Sequence, residues 1–387
     1  MGFEFYFKKN EIFTKSNSLK IINAKIIVFS PQPWNHIKIS KHHYAEELAK
    51  HNQVWFVTAP QGFGISFKEN LINDRLVVVS YKTPVPYLLK FRLPWLYSFV
   101  NSLFLKLYCF FKIGKVQIVF DFGSYTFLDH LYGIFAEKKV FFPVDDNKNL
   151  SYSKRGADYL FSVSSMVVEK LKSRGIHCIL LNHGLSDKFV LNAGKRMCQQ
   201  YIPNTPFLKV GYSGNLMIPF LDRPLLCQLI EAHPSIEFHL FGHIEQWNID
   251  DNNAVWLSFL HSCPNIFLHG SLSTEQLIED YEHMDAFILT YQPDDVNYHA
   301  DNSHKILEYL SFGKVLISTW ISYYENKALF PMTPKLQNDQ FHSIFENVIA
   351  NLKKWNTADL YQKRISFALE HTYMKNIESI GSILYEF

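Results

Sequence analysis

Short apolar runs alternate with longer, helix-patterned stretches through most of this chain. Residues 25–30, 53–58, 76–80, 116–120, 139–144 and 157–164 are apolar runs of strand length, and 178–181 closes the series. Runs that are apolar on both faces suit strands covered on both sides, as in parallel sheets. Residues 40–51 and 166–174 carry helical spacing, the second opened by Ser164-Ser165 and closed by Gly175. The pattern then pauses over 191–206, a polar stretch with two prolines, and restarts. Strands are predicted at 208–213, 237–241, 265–268, 286–289 and 315–317. Ser273 opens a helix that runs to about His283. The last thirty residues read as helix, with Tyr361, Ile365, Leu369 and Tyr373 at helical spacing and Ile377, Ile380 and Leu384 after a break. Strand–helix alternation of this kind predicts an α/β protein with two parallel sheets in tandem and a cleft between them as the natural ligand site. The domains expected are 1–190, with 1–20 an extension, then a linker at 191–206, a second domain at 207–360, and a helical segment at 361–387 that has the first domain to pack against.

Composition adds little until the chain is divided. The formal net charge is +2 over 387 residues, but residues 1–190 hold 25 Lys+Arg against 14 Asp+Glu, and 191–387 hold 13 against 22. A basic half and an acidic half point to different partners, or to drift between two solvated surfaces. Five scattered cysteines fit a reducing compartment rather than a disulfide framework or metal site. No signal peptide, clean membrane span or nucleic-acid partner is expected, and the location expected is cytoplasmic. Residues 87–115 set Lys90, Arg92, Lys106, Lys112 and Lys115 among Phe, Leu, Trp and Tyr. A surface on the inner leaflet of the membrane is favoured for 87–96, and a core helix with a wet charged face for 103–111.

Candidate chemistry gathers between Asp285 and Thr319. A strand leads through a polar loop to Ser303-His304-Lys305, the first turn of a short helix that ends at Gly313, and a second strand follows. In a parallel sheet, ligands sit at the carboxyl ends of strands, where helix N-termini offer free N–H groups. Glu308 stands four residues after His304, on a similar helix face. In the first half, Asp145-Asp146 closes a predicted strand, where acids either do chemistry or cap the next helix. The loop 31–36 lacks the glycine fingerprint of dinucleotide binding, which argues against tight phosphate binding there.

Four segments resemble GT-B glycosyltransferases, among them the family-four-like, retaining, bacterial enzymes that build surface polysaccharides. They are Val210 to Leu216 with its glycine turn, Phe241-Gly242, Ile266 to Gly270 followed by Glu275 and Leu277, and Asn302 to Lys314. Val144 to Asp146, Ala157-Asp158, Val163-Ser164 and Asn182-His183-Gly184 add weaker matches. The resemblance implies two Rossmann-like domains facing a central cleft, with a nucleotide-diphosphate sugar on the second and a glycan or lipid-linked acceptor on the first. It implies retention, and neither a cofactor nor a metal. Gly214, Asn215, Gly242, His269, Gly270, Leu272, Ser303, His304, Lys305 and Glu308 would then bind the donor, Glu308 through the ribose hydroxyls and Lys305 through the leaving phosphate. Asp146, and beside it Asp145, would orient or deprotonate the acceptor, with Trp34 and His43 on the acceptor side. The chain departs from the family at Ala300, where an acid is common eight residues before the glutamate, and at Asn215, where an arginine is common. Two other readings stand: a nucleotide-sugar epimerase of the same fold, and a non-catalytic domain that binds glycan or nucleotide.

Overall fold

The computed structural model describes residues 19–35, 38–123, 136–143, 156–197, 199, 201–202, 207–244, 251–293 and 301–386. Thirteen strands form two sheets among them. The first sheet comprises β1 (Lys25–Ser30), β2 (Gln53–Thr58), β3 (Ser66–Asn73), β4 (Leu76–Lys82), β5 (Val116–Asp121), β6 (Ala136–Phe141), β7 (Tyr159–Ser162) and β8 (Ile179–Leu180). Their order is β3-β4-β2-β1-β5-β6-β7-β8. The second comprises β9 (Leu208–Ser213), β10 (Ile236–Phe241), β11 (Ile266–Gly270), β12 (Ala286–Leu289) and β13 (Val315–Ser318), in the order β11-β10-β9-β12-β13. Continuous apolar runs mark buried strands: β12, and β13 at the end of the sheet, are buried at every position. In the second sheet the order reverses at β9, between β10 and β12, and such a switch point opens a crevice at the strands' carboxyl ends.

The α/β class with two largely parallel sheets is as expected from the sequence. β3 was not expected. It is antiparallel to β4 and lies at the sheet edge, and all but one of its residues are exposed. Polar edge strands resist unwanted pairing and carry no apolar run to betray them. Residues 187–196, part of which was expected as linker, form a helix instead. Phe189 packs on Tyr281 and Phe312, and Arg196 pairs with Glu282 at 2.5 Å.

The described residues fall into two compact units. One takes in Met1–Phe141, Arg155–Tyr159 and Met374–Phe387; the other, Phe142–Lys154 and Leu160–Tyr373. The helices Ala358–Glu370 and Tyr373–Leu384 thus serve different units. In the first unit, a helix over Pro94–Tyr108 continues as a π-helical turn, Cys109–Ile113. It buries Tyr97, Ser98, Asn101, Ser102, Leu105 and Tyr108. Phe104 and Tyr108 stack on Phe67 of β3, and Asn101 and Thr83 hydrogen bond. Leu103, Leu107, Phe110 and Phe111 are exposed, so 103–111 is a core segment on one face only.

Candidate functional site

Three neighbouring strands of the second unit end in glycine, and each glycine has φ in the left-handed half of the map. Gly214 follows β9 at +139°, Gly242 follows β10 at +148°, and Gly270 ends β11 at +68°. The turns are stitched together: Gly214 N–H donates to Phe241 O at 2.7 Å, and Gly242 N–H to Gly270 O at 2.8 Å. The close approach excludes side chains. A Cβ on Gly242 would lie 1.9 Å from the Gly214 carbonyl oxygen, and one on Gly214 would lie 2.0 Å from Lys305 Nζ.

That second distance places the Lys305 ammonium against the β9 turn, at the switch point. Lys305 is in the first turn of the helix His304–Leu310 and is buried. Its Nζ donates to the Tyr291 hydroxyl at 3.4 Å and lies 5.3 Å and 5.8 Å from the ring centroids of Tyr212 and Tyr291. Ring faces stabilise a cation without neutralising it. Among the described residues, no carboxylate lies within ion-pair distance of this ammonium. The Tyr212 hydroxyl, also buried beside the turn, has no hydrogen-bond partner among them. A desolvated positive charge next to glycine backbone is an arrangement suited to an anion.

One turn further on, Glu308 is half-buried. Burial pushes its carboxyl up to about 7, against the pull of Lys305. Tyr309, four residues after Lys305, reaches the same end of β9 and ties helix to strand: its hydroxyl accepts from Ser213 N–H at 2.7 Å. Ser303, expected in the first turn, stands at the helix's N-cap position and does not cap it with its side chain. Its hydroxyl lies 3.3 Å from that of Tyr291 instead. Asp301 caps a different helix. It accepts from Ser165 Oγ at 2.6 Å and Met166 N–H at 3.4 Å, in the first turn of Ser165–Lys172. Asn302 donates to Val163 O and to Asn182 Oδ1, and His304 packs edge-on against His183, whose imidazole burial pushes down to about 4. The start of the Lys305 helix is therefore held by residues 163–166 and 182–183.

The other expected donor residues divide. Asn215 is exposed, and its Oδ1 accepts from Met217 N–H at 2.8 Å, closing the β9 turn. Arg223, the nearest base after that turn, donates to Asn253 Oδ1 at 2.7 Å and lies over the Trp256 ring, which ties two helices together. Leu272 packs on the core at the β11 edge. The His269 ring is stacked on Phe241 and His239. A neutral His239 that donates from Nε2 to Glu237 leaves Nδ1 to accept from His269 Nε2–H at 2.9 Å. Desolvation lowers both imidazoles, which agrees with a neutral pair. With Nε2–H engaged, His269 keeps for a ligand its backbone and Nδ1, which lies 4.0 Å from Asp280.

Trp34 and His43 belong to the first unit. Trp34 packs against Phe56 and His42, and His43 lies 3.8 Å from Glu46. His42 is the buried one of the pair, accepting from Ile39 N–H and bonding Pro33 O. Asp145, Asp146 and Ala300 lie outside the described residues.

No family model and no curated protein matches the sequence. Solved structures do. The chain is similar to sucrose-phosphate synthase from Thermosynechococcus elongatus (TM-score 0.66, 10% identity, 94% of this chain and 98% of that one). It is similar to E. coli trehalose-6-phosphate synthase bound with UDP-2-fluoro glucose (TM-score 0.65, 10% identity, 94% and 99%). It is also similar to Anabaena HepE in complex with UDP (TM-score 0.60, 10% identity, 95% and 100%). The fold is that of GT-B glycosyltransferases. At these identities the likeness speaks to the fold, and the chemistry rests on the residues around Lys305.

Proposed function

We propose that this protein is a glycosyltransferase that moves a sugar from a nucleotide-diphosphate sugar to a glycan or lipid-linked acceptor, with retention and without a metal, in cell-surface polysaccharide synthesis at the inner face of the cytoplasmic membrane. The observation that carries this reading is the buried Lys305 ammonium against the Gly214 turn, with no carboxylate within ion-pair distance among the described residues. Leaving-group departure breaks the bond between anomeric carbon and phosphate oxygen, and the electron pair stays on the diphosphate. A fixed positive charge in a desolvated site lowers the barrier by stabilising that charge as it develops. Glu308, in its ionised form, accepts from the ribose hydroxyls. The acceptor oxygen bonds the sugar and gives its proton to a base, the role given to Asp146 with Asp145 beside it. The fold's company supports the donor class, since relatives of this shape were solved with UDP and with a UDP-sugar.

A thermal-shift screen with nucleoside diphosphates tests the donor half. At a hundred times Kd, binding stabilises by about 2.7 kcal/mol, which is several degrees for a domain of this size. Stabilisation by one base over the others is expected, and no shift with any of them would remove the reading. Asp301 favours one rival. With its carboxylate taken up by Ser165 and Met166, the acid nearest the family's usual position serves the fold, as it would in a nucleotide-binding module without turnover. A nucleotide shift without donor hydrolysis or transfer to any acceptor would support that module.

A further inference from the structure

The helix Pro94–Tyr108 with its continuation Cys109–Ile113 is inverted relative to an ordinary surface helix. Its inward face carries Ser98, Asn101 and Ser102 beside Tyr97, Leu105 and Tyr108. Its outward face carries Trp95, Phe99, Leu103 and Leu107 at every fourth position, then Phe110 and Phe111, each between 47% and 76% exposed. A four-residue repeat keeps these side chains on one stripe. Tyr87, Leu88 and Phe91, just before the helix, are exposed as well. Apolar patches of this extent on soluble proteins mark a surface that meets a non-aqueous partner.

The charges say which partner. From Arg75 to Phe120 the chain has no Asp or Glu, while Lys90, Arg92, Lys106 and Lys112 lie among or beside the stripe. Glu69 of β3 meets the helix on its inward side, where it accepts from the Tyr108 hydroxyl at 2.8 Å. An apolar stripe whose own segment carries only cations is complementary to a lipid surface with anionic headgroups. Lys90 is placed for this, its ammonium 5.0 Å from the Tyr87 ring and 5.9 Å from that of Phe91. By length and composition this is also the one helix among the described residues able to cross a membrane. Its inner face is otherwise engaged, through the Asn101–Thr83 hydrogen bond and the stacks of Phe104 and Tyr108 on Phe67. A spanning helix would have to give up these contacts and expose Ser98, Asn101 and Ser102 to lipid.

We infer that residues 87–113 form an in-plane docking face for an anionic phospholipid bilayer, with Trp95, Phe99, Leu103 and Leu107 entering the headgroup–acyl boundary and Lys90 and Arg92 contacting headgroups. This deepens the membrane location proposed above, and its test does not involve the donor site. Full-length protein is sedimented with vesicles of phosphatidylglycerol and phosphatidylcholine, and with vesicles of phosphatidylcholine alone. Binding at least tenfold stronger to the anionic vesicles, weakened by salt, is expected. The double variant Phe99→Glu/Leu103→Glu, at exposed positions, should keep its melting temperature and lose vesicle binding at least tenfold. Lys90→Glu/Arg92→Glu should lose the preference for anionic lipid while keeping residual binding. Alkaline carbonate should release the bound wild type. Absent binding, equal binding to both vesicles, or resistance to carbonate each overturns the proposal. So does a self-associated wild type that ignores vesicles and becomes monomeric in the Phe99→Glu/Leu103→Glu variant, because the stripe would then face a second copy. The nucleotide thermal shift, measured on the same variants, should be unchanged, so a failure here and a failure of the transferase reading are told apart.

Discussion

Lys305 is a long cation held in a space lined by aromatic rings and glycine backbone. Methionine keeps most of its bulk between Tyr212 and Tyr291 and brings no charge. Lys305→Met should melt near the wild-type temperature, lose the nucleoside diphosphate shift, and lose about 100-fold or more in turnover, the scale of removing one group that stabilises a developing oxyanion. An unchanged nucleotide shift would take Lys305 out of the site. Glu308 makes a prediction of opposite character. Its carboxyl is raised to about 7 in the folded protein, so folding disfavours the ionised form. The stability it contributes is full below its unfolded value and is lost as pH rises through 7. In the absence of nucleotide, Glu308→Gln should therefore match wild type near pH 4 and become progressively more stable than wild type between pH 5 and 8. A pH-independent difference in melting temperature would contradict the shift. That Lys305 and Glu308 share one short helix was legible in the sequence, because one short segment carries both. The tyrosines around them were not. Tyr212 and Tyr291 stand far apart in the chain and meet only because β9 and β12 are adjacent in the sheet. The true destination of Asp301 was hidden for the same reason, since its partners Ser165 and Met166 precede it by more than a hundred residues.

At the scale of elements, the glycine turns and the helix after them behave as one packed object. Gly214 and Gly242 have similar backbone angles, so alanine at either brings a comparable conformational penalty, about 1–2 kcal/mol. What the new methyl meets differs. At Gly214 it meets the end of a lysine side chain, which can swing away; at Gly242 it meets the Gly214 carbonyl, which cannot. Gly214→Ala should fold and fail to bind nucleotide, whereas Gly242→Ala should lose much of the stability of the second unit. Parallel melting curves and nucleotide shifts separate the two outcomes, and equal destabilisation would contradict the difference. Arg364, in the helix Ala358–Glu370, is the other element-level support. It is fully buried, and it donates to Leu329 O, Gly313 O, Asn356 Oδ1 and Trp355 O. Burial lowers its guanidinium to about 10, so it stays charged at neutral pH. It ties the turn after the Lys305 helix to the C-terminal helices. Arg364→Met orphans these acceptors and should cost about 3–5 kcal/mol, or roughly 10 °C, with Arg364→Lys recovering little because it cannot reach all four. Elements with strong apolar runs were read from the sequence almost to the residue, β1, β2 and β9 among them. β3 escaped because its stability comes from pairing with β4 and from Phe67 stacking on the helix beyond, neither of which leaves a local pattern.

At the scale of the molecule, the chain leaves its first unit near Phe141, revisits it at Arg155–Tyr159, builds the second through Tyr373, and returns at Met374. The helical segment at the C-terminus was visible in its spacing, but spacing cannot say which neighbour a helix chooses. Asn376 Nδ2 donates to the Tyr44 hydroxyl at 3.1 Å, and Gly381 lies so close to Ile21 that a Cβ would approach its side chain to 3.2 Å. Ile377, Ile380 and Leu384 are buried. Each is worth about 1.5–3 kcal/mol on burial, so the three together rival much of the 5–15 kcal/mol that stabilises a typical domain. A chain that ends at Tyr373 should therefore lose the order of its first unit and keep that of its second, which retains β9 to β13, Lys305 and Arg364. Limited proteolysis of the truncated protein should cut first within residues 19–141 and spare 207–373, and a nucleoside diphosphate should protect the latter further. Cleavage spread evenly over both units would mean that the last fourteen residues support the whole chain, and the independence of the nucleotide-binding unit would fall with it.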